Sequence, residues 1–460
     1  MTVGAMQGIG QFGHYWTNKS VLSFAGNKDP ISAMICRSRA LVLEAIEHGW
    51  TGPPFDPFSL AELLRIEVLP SQDVIEARTI PSGSRFRIEY NPNRGESRVR
   101  YSIAHEIAHT FFPDCAEAIR NRESYHTGNG DAWQLEMLCN VGAAEVLMPV
   151  GSGFQCPTNV HDFAHLLDLR KQYKVSTEAL LLRMARLCNL QVFAASIEAM
   201  TGRPIINYAV SNAHGIRPHE GASLPATSVV THCTAIGFTS QGTEKWPSVG
   251  SVEVQCVGIP PYPGQVHPRV VGIFREAAEL TDPTEAGSNI EYVRGDATQT
   301  RGPGMKMIVQ LVNDKAITWG GGLSLAVRRK WPEIQREYTE WATQESKSLR
   351  LGNVHFSKPD NDTVVASIVA QAGYGESTKP RIRYNALERG LTLVAEKAKQ
   401  TQASVHMSRL GCGEAGGSWS IVGELVQTCL SCQGIRVTVY DLPGQTANTL
   451  QSLLPGIAVA

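Results

Sequence analysis

The chain has 460 residues, of which 42% are hydrophobic and 18% are charged. This length exceeds one ordinary hydrophobic core, so we expect two or three domains. The apolar fraction excludes a disordered or collagen-like chain, because enough apolar surface is present to offset chain entropy. Forty-two Lys and Arg stand against 43 Asp and Glu, a net charge of -1, which excludes a global field that draws the protein to nucleic acid or an anionic membrane.

The first residues, MTVGAMQGIGQFGHYW, lack a basic segment followed by a long apolar run. We therefore expect no signal peptide, and we find no apolar stretch long enough to span a membrane. The ten cysteines are scattered along the chain, which favours thiols over a disulfide framework. The sequence predicts a cytoplasmic, multidomain protein.

The first part of the chain reads as helical after a flexible lead-in over residues 1–29. Apolar residues at helical spacing predict helices over 30–49, 59–64, 98–112, 133–148, 160–175 and 176–190. Short strands are predicted over 66–70 and 86–92. These elements define a first domain over residues 30–190, of the α+β class.

From Gln191 the pattern changes to short β-like runs separated by glycine and proline. The runs cover 191–199, 206–210, 228–239, 251–259 and 269–276. They predict a β-rich middle module with a linker over 191–285. From 286 to 443 predicted strands and helices alternate, which is typical of a layered α/β domain. Residues 444–460 are predicted to form a tail.

The segment HEIAH at residues 105–109 is an HExxH motif. On a helix, side chains four residues apart share a face, so His105 and His109 can bind one metal ion. Glu106 then faces the metal-bound water and can act as a general base. The alternative is two surface histidines on an ordinary helix. The apolar remainder of this helix favours the metal, because burying these polar side chains without a partner costs free energy.

A catalytic zinc ion needs a third protein ligand. The long metzincin pattern is excluded, because Phe112 and Cys115 occupy the positions at which it requires glycine and histidine. The helix over 133–148 supplies Glu136 and Glu145 as candidates. Spacing alone does not choose between these two carboxylates.

AHEIAHTFFPD followed by LEMLCNVGAAEVLMP resembles the ImmA/IrrE family of bacterial zinc metallopeptidases, whose core is similar to gluzincins. The resemblance covers residues 30–190 and implies a zincin-like fold with Glu136 as the third zinc ligand. Asn140, one turn further on, faces the same way and can support Glu136, while Glu145 is left a structural role. The resemblance also implies a regulatory protease that cleaves a helix-turn-helix repressor of the XRE type, for example under stress.

Two glycine-dense turns follow predicted strands in the C-terminal domain. The first contains Gly320, Gly321 and Gly322, and the second contains Gly411, Cys412, Gly413, Gly416 and Gly417. Glycines at strand-to-helix turns let backbone N–H groups approach a phosphate, aided by the helix N-terminus. Tight backbone geometry alone explains one such turn, whereas two predict a ligand with a diphosphate.

The order of elements over 288–443 resembles a macrodomain, the three-layer α/β/α fold that binds ADP-ribose. RLGCGEAGG and VTVYDLP are most similar to the branch that contains the terminal ADP-ribose protein glycohydrolase. The resemblance implies that Asp296 contacts the adenine amino group and that Tyr440 packs on the adenine. It also implies that Asn313 and the first glycine turn flank the distal ribose, while the second glycine turn wraps the diphosphate.

The similarity to the hydrolytic branch ends at two positions, where Gln371 and Ala415 replace a lysine and an aspartate of that branch. Binding of ADP-ribose, of a related NAD-derived ligand or of an ADP-ribosylated protein is therefore expected, and a second, ADP-ribosyl hydrolase activity stays open. The sequence predicts a zinc-dependent endopeptidase that the macrodomain controls or targets. The alternative is an ADP-ribose-binding or de-ADP-ribosylating protein in which the metallopeptidase-like domain is structural. Membrane association and direct nucleic-acid binding are not expected.

Overall fold

The computed structural model describes residues in both halves of the chain, which divides into two compact units. The described ranges are 16–116, 120–121, 131–152, 163–187, 190–198, 201–210, 218–233, 235–247, 249–261, 268–276, 290–315, 318–344, 348–375, 377 and 379–441. One unit comprises residues 1–149 and 154–287, and the other comprises residues 150–153 and 288–460. The predicted tail at 444–460 lies outside the described ranges. Within those ranges, every helix is too short or too polar to cross a lipid bilayer.

The N-terminal unit opens with helices and a small mixed sheet. Its helices are α1 (Lys19–Ala25), α2 (Pro30–Glu47), α3 (Pro57–Leu63), α4 (Glu96–His109), α5 (Ala132–Leu147), α6 (Phe163–Tyr173) and α7 (Thr177–Leu187). Its first sheet contains β1 (Glu67–Pro70), β2 (Ala77–Ser82), β3 (Arg85–Tyr90) and β4 (Arg120–Asn121), in the order β1-β3-β2-β4. β1 pairs with β3 in parallel, and the other pairs are antiparallel. The helices predicted from apolar spacing are confirmed.

Helix α1 lies within the segment that the sequence predicts as a flexible lead-in. The side chain of Asn18 accepts a hydrogen bond from the backbone N–H of Val21 at 3.2 Å. Val21 is fully buried in an apolar cluster with Met34 and Leu138. A capped helix with one buried face is stabilised by packing even when it is short. Of the predicted lead-in, residues 1–15 lie outside the described ranges.

A second, antiparallel sheet follows α7. It contains β5 (Gln191–Ile197), β6 (Pro204–Val210), β7 (Thr239–Trp246), β8 (Gly250–Ile259) and β9 (Arg269–Glu276), in the order β6-β5-β9-β8-β7. The strand predicted over 228–239 is wrong, because Val229–His232 form a 3-10 helix whose first turn is capped by the Ser228 side chain. The polar sequence of β7 lacks the apolar alternation that predicts a strand, and β7 forms by pairing with β8 along its whole length.

One apolar core joins the helical and β-rich parts of this unit. It contains Ala104 from α4, Leu180 from α7, Val192 from β5 and Ile273 from β9, all of them buried. The sequence predicts a domain boundary between residues 190 and 191. The structure places both sides of this boundary on the same core, because α7 contacts β5 and β9.

The C-terminal unit is built on a mixed sheet with alternating helices. Its strands are β10 (Ile290–Arg294), β11 (Lys306–Asn313), β12 (Val354–Ser357), β13 (Thr363–Gln371), β14 (Ser404–Ser408) and β15 (Val437–Asp441). Its helices are α8 (Gly322–Lys330), α9 (Pro332–Gln344), α10 (Tyr384–Thr401) and α11 (Trp419–Cys429). The strand order is β10-β15-β14-β11-β13-β12, and the pairs are parallel except β12 with β13.

Helices cover both faces of this sheet. Val365 and Val369 of β13 pack in a buried cluster with Val327 of α8. Ile368 contacts α10 instead, and a Cβ atom at Gly390 of α10 would lie only 2.2 Å from its Cγ2. Because alternate residues of a strand point to opposite faces, α8 and α10 lie on opposite sides of the sheet. The unit therefore has the three-layer α/β/α arrangement that the sequence predicts.

Candidate functional site

The HExxH motif lies on a buried part of helix α4. His105 and His109 are each 1% exposed, and Glu106 is fully buried. Glu96 lies in the first turn of this helix, where its charge interacts favourably with the helix dipole. Buried polar side chains of this kind need partners, because their desolvation costs free energy.

The two histidines meet a carboxylate from helix α5. The Nε2 atom of His105 lies 2.7 Å from Oε2 of Glu136, and the Nε2 atom of His109 lies 3.3 Å from Oε1 of the same side chain. The two Nε2 atoms are 3.2 Å apart. The side chain of Glu136 is 13% exposed, so the cluster reaches the protein surface on the α5 side.

Asn140 fixes the orientation of the His105 ring. Its Oδ1 atom lies 3.0 Å from Nδ1 of His105 and accepts a hydrogen bond from the Tyr101 hydroxyl at 2.8 Å. An amide oxygen only accepts, so Nδ1 of His105 carries the proton. In the neutral ring, the lone pair of Nε2 therefore points toward the Glu136 carboxylate. That arrangement is repulsive unless a proton or a cation lies between the two atoms.

The donor set fits a zinc ion. Zinc bonds of about 2.0 Å to nitrogen and oxygen place neighbouring ligands of a tetrahedral site about 3.3 Å apart. The His105–His109 and His109–Glu136 distances, 3.2 and 3.3 Å, match this spacing, and the His105–Glu136 distance of 2.7 Å is shorter than it. Burial raises the pKa of Glu136, but protonated His105 and His109, which donate to the carboxylate where a cation would otherwise lie, outweigh it and lower the pKa to about 2. Glu136 is therefore ionised, as a metal ligand must be.

Glu106, the predicted general base, contacts strand β2. The hydroxyl of Thr79 donates a hydrogen bond to Oε2 of Glu106 at 2.7 Å, and it also contacts the Glu106 carbonyl oxygen at 3.2 Å. This hydrogen bond holds the Glu106 carboxylate against β2. No sequence pattern links Thr79 to the motif, because the contact depends on how β2 packs beneath α4.

Glu145, the other candidate ligand, has a structural environment. It is 1% exposed and forms an ion pair with Arg183 of α7, which is equally buried. Arg39 of α2 lies 4.0 Å from its other carboxylate oxygen. The structure therefore brings Glu136 to the histidines and ties Glu145 to two arginines.

Cys139 joins the metal cluster in a way that the sequence analysis misses. Its Sγ atom and ring nitrogens of His105 and His109 all lie within 4.8 Å of one another, and all three residues are buried. Cys139 lies three residues after Glu136 on α5. Residues three apart on a helix are neighbours, and this spacing is the signal that could have identified it.

In the C-terminal unit, Asp296 lies just beyond the end of β10. Its Oδ1 atom accepts a hydrogen bond from the backbone N–H of Thr298 at 2.8 Å, which closes a local turn. Gly295 precedes it, and a Cβ atom there would lie 3.6 Å from the ring of Tyr440. Tyr440 is 3% exposed, and its hydroxyl lies 3.0 Å from Nδ1 of His406. The Tyr440 ring thus packs beside the turn that presents Asp296.

The second glycine loop is closed by its own backbone. Gly417 donates a hydrogen bond to the carbonyl of Gly411 at 2.8 Å, and Gly416 donates to that of Gly413 at 2.9 Å. Gly411 and Gly416 have φ values of 66° and 69°, which glycine adopts without strain. Burial raises the pKa of the Cys412 thiol to about 12. The thiol is therefore neutral at physiological pH.

The two glycine loops face each other. A Cβ atom at Gly321, which caps α8, would lie 3.2 Å from Oε1 of Glu414 in the second loop. Gly320 and Gly413 have open space where a side chain would be. Since both loops follow parallel strands, they meet at the carboxyl edge of the sheet, where α/β folds bind ligands.

The side chains at the end of β11 and β13 stabilise this edge. Asn313 accepts a hydrogen bond from the backbone N–H of Lys315 at 3.0 Å. Asp314 accepts one from the N–H of Gly373 at 2.7 Å, and Gln371 donates to the Gly373 carbonyl at 3.0 Å. Gln371 therefore holds a turn, at the position where the hydrolytic branch has a lysine.

An arginine between two aromatic rings flanks the second loop. The guanidinium of Arg409 lies 5.1 Å from the ring centre of Trp419 and 5.7 Å from that of Tyr292. It forms two hydrogen bonds with Asp441, of 2.6 and 2.8 Å, and this pairing raises the pKa of Arg409. The sequence analysis does not single out these residues, because they come from separate elements: β10, the turn after β14, the start of α11 and the end of β15.

Comparison with known proteins places similarity in a part of the chain. No protein-family model matches it. The macrodomain protein from Streptomyces coelicolor is 40% identical, with 33% of this chain and 98% of that chain covered and a TM-score of 0.30. Chromodomain-helicase-DNA-binding protein 1-like from Danio rerio is 31% identical over 159 residues, and the match spans 33% of this chain but only 15% of the relative.

The ADP-ribose 1''-phosphate phosphatase of Lodderomyces elongisporus is 25% identical over 162 residues, which are 33% of this chain and 99% of the relative. These comparisons do not bear on the metallopeptidase resemblance of residues 30–190, which stays a prediction. The chain is a mixed α/β multidomain protein, and a macrodomain-like α/β fold covers about a third of it.

Proposed function

We propose that the C-terminal unit binds an ADP-ribose-type ligand between its two glycine loops. The observation that carries the proposal is the approach of Glu414 to Gly321, which brings both loops to one edge of the sheet. Backbone N–H groups in such loops, with the N-terminus of α8, suit a diphosphate. The L. elongisporus relative is an ADP-ribose 1''-phosphate phosphatase, which supports the same ligand class.

We assign the remaining parts of the ligand to residues at or near the neighbouring strand ends. The Asp296 carboxylate can accept hydrogen bonds from the exocyclic amino group of adenine. We assign the distal ribose to Asn313 and the glycines at 320–322, as the macrodomain resemblance implies. The partner is free ADP-ribose, a related NAD-derived molecule or an ADP-ribosylated protein.

We favour binding over hydrolysis as the role of this unit. The hydrogen bonds of Gln371 and the buried position of Ala415 leave no titratable group at the two places where the hydrolytic branch has its catalytic side chains. Asp314 is held by the backbone of Gly373. Among the loop carboxylates, Glu414 is the one near the glycines at 320–322, and a hydrolytic activity would have to depend on it.

Calorimetric titration of the full chain with ADP-ribose tests this proposal. We expect saturable binding that Asp296→Ala weakens at least about tenfold, because a good hydrogen-bond pair contributes about 1–3 kcal/mol. Asp360→Ala is the matched control, since Asp360 also accepts a hydrogen bond from the N–H two residues on, at 3.0 Å, but in the turn before β13. No binding at millimolar ADP-ribose, or equal weakening by both variants, contradicts the proposal.

A second candidate function belongs to the N-terminal unit, where the convergence of His105, His109 and Glu136 favours a zinc-dependent peptidase. When bound, zinc supplies a Lewis acid and a water of lowered pKa. His105 and His109 would hold it as neutral rings, and Asn140 would keep His105 in the required tautomer. Glu106, which accepts a hydrogen bond from Thr79, would accept a proton from the attacking water. The proposed substrate is a helix-turn-helix repressor.

Two measurements test the second candidate. We expect one zinc per chain in the wild type and loss of the metal in Glu136→Ala, measured by elemental mass spectrometry. Co-expression with a candidate helix-turn-helix repressor of the XRE type should then give a cleaved repressor, and Glu106→Gln should leave it intact. A repressor that stays intact with the wild type contradicts the peptidase proposal but not zinc binding.

A further inference from the structure

We propose that Cys139 is a fourth protein donor of the metal centre, so that the bound metal carries a thiolate in addition to His105, His109 and Glu136. The inference rests on the proposed metal centre, but not on its being a peptidase. It assigns a ligand beyond those that the sequence resemblance implies, and it changes what the centre can do.

The first support for this assignment is the position of Cys139 on helix α5. Glu136 and Asn140 are one turn apart and both contact His105. Cys139 lies between them in the chain and one turn after Glu136, so its side chain stays on the part of α5 that faces α4. Its Sγ atom lies within 4.8 Å of ring nitrogens of both histidines.

The distances suit coordination after a small side-chain movement. A zinc–sulfur bond of about 2.3 Å and zinc–nitrogen bonds of about 2.0 Å place sulfur and nitrogen ligands about 3.5 Å apart. The 4.8 Å limit on the observed sulfur–nitrogen separations exceeds this by about 1.3 Å. Glu136 does not belong to that group, so coordination by all four donors requires movement of both the Cys139 and the Glu136 side chains.

The surroundings of Cys139 favour a bound thiolate. The residue is fully buried, in an apolar cluster with Ala108, Phe112 and Leu138. A metal ion makes a buried thiolate tolerable, because it neutralises the charge that the apolar walls cannot solvate. Thiolate also makes the set softer, which favours zinc over magnesium or calcium.

A fourth protein donor makes the resting centre closed. Tetrahedral zinc with two imidazoles, a carboxylate and a thiolate has no position left for water. The metal then stabilises the packing of α4 against α5, and hydrolysis requires one donor to leave. Glu136 is the donor nearest the surface, with a side chain that is 13% exposed.

Cobalt(II) titration of the metal-depleted full chain tests this inference without any measurement of activity. Thiolate bound to cobalt gives an intense near-ultraviolet charge-transfer band that imidazole and carboxylate do not give. We expect the band to grow to saturation at one equivalent in the wild type. It should be absent in Cys139→Ser and retained in Cys115→Ser, the matched control, because Cys115 is also fully buried in this unit.

The outcomes separate the two proposals. Cobalt that binds at one equivalent without a thiolate band overturns the role of Cys139 and leaves the three-ligand centre standing. A chain that binds no cobalt overturns both. If Cys139→Ser fails to fold, the absence of the band in the wild type still refutes the assignment, and a band that Cys115→Ser retains still supports it. A band that persists in folded Cys139→Ser also refutes the assignment.

Discussion

The side-chain oxygen of Asn140 lies 3.0 Å from Nδ1 of His105. This contact fixes which ring nitrogen carries the proton and leaves Nε2 for a metal ion. Hydrogen bonds of this kind to a metal-binding histidine typically change metal affinity 10–100-fold. We therefore expect Asn140→Ala to weaken zinc binding by about that factor, as measured by competition with a chromogenic chelator.

Tyr101→Phe is the control for this prediction. It removes the hydrogen bond from the Tyr101 hydroxyl to Asn140 but leaves the amide oxygen on His105. The loss of affinity should be smaller than in Asn140→Ala. Equal zinc affinity in the wild type and Asn140→Ala would show that the amide does not orient the ring.

Glu145 should matter for stability and not for metal. Glu145 forms an ion pair with Arg183, and each of the two side chains is 1% exposed. Removal of one partner of a buried pair typically lowers the free energy of unfolding by about 3–5 kcal/mol. Glu145→Ala should therefore lower the urea midpoint of unfolding, followed by helical circular dichroism, and keep one zinc per folded chain. Glu44→Ala, on the exposed side of α2, should change neither. Zinc loss in folded Glu145→Ala would reassign the third ligand.

Gly413 tests where the diphosphate lies. A Cβ atom at this position meets nothing within 4 Å, so Gly413→Ala should melt at the same temperature as the wild type. If the diphosphate approaches the backbone here, the added methyl group should lower ADP-ribose affinity at least about tenfold, measured by calorimetry. Gly417→Ala differs, since its Cβ would lie 2.8 Å from the Gly411 carbonyl, and it should destabilise the loop itself.

His406 gives the C-terminal unit a pH dependence. Burial, with repulsion from Lys306 and Arg436, lowers its pKa from 6.5 to about 4. Between pH 6.5 and about pH 4, His406 binds a proton in the unfolded chain but not in the folded chain. The free energy of unfolding therefore falls as the pH falls from 6.5 toward 4, by up to about 3 kcal/mol.

Hydrogen exchange of β14 and β15 amides in the full chain, corrected for intrinsic rates, measures this effect. Protection should decrease between pH 7 and pH 4.5 in the wild type, and it should decrease less in His406→Gln, whose side chain does not titrate. An identical pH dependence in both proteins would exclude His406 as the cause.

The sequence predicted those helices and strands in which apolar residues recur at regular spacing. The HExxH spacing predicted a helix with both histidines on one face, and Glu136 followed from the resemblance. Cys139 lies three residues after Glu136, a spacing that could have identified it, but its distance from the histidine rings depends on how α4 and α5 pack together. Thr79 and Glu414 act through tertiary contacts that no local spacing encodes.

The core that contains Leu180, Val192 and Ile273 determines where this protein can be divided into fragments. A chain cut after residue 190 would leave the inner face of α7 in water, so the motif helices would lose the support on which their geometry depends. Replacement of the β-rich segment by an unrelated one would also expose the inner face of α7 to water. A fragment that keeps the geometry of the histidine motif should therefore contain the second sheet as well.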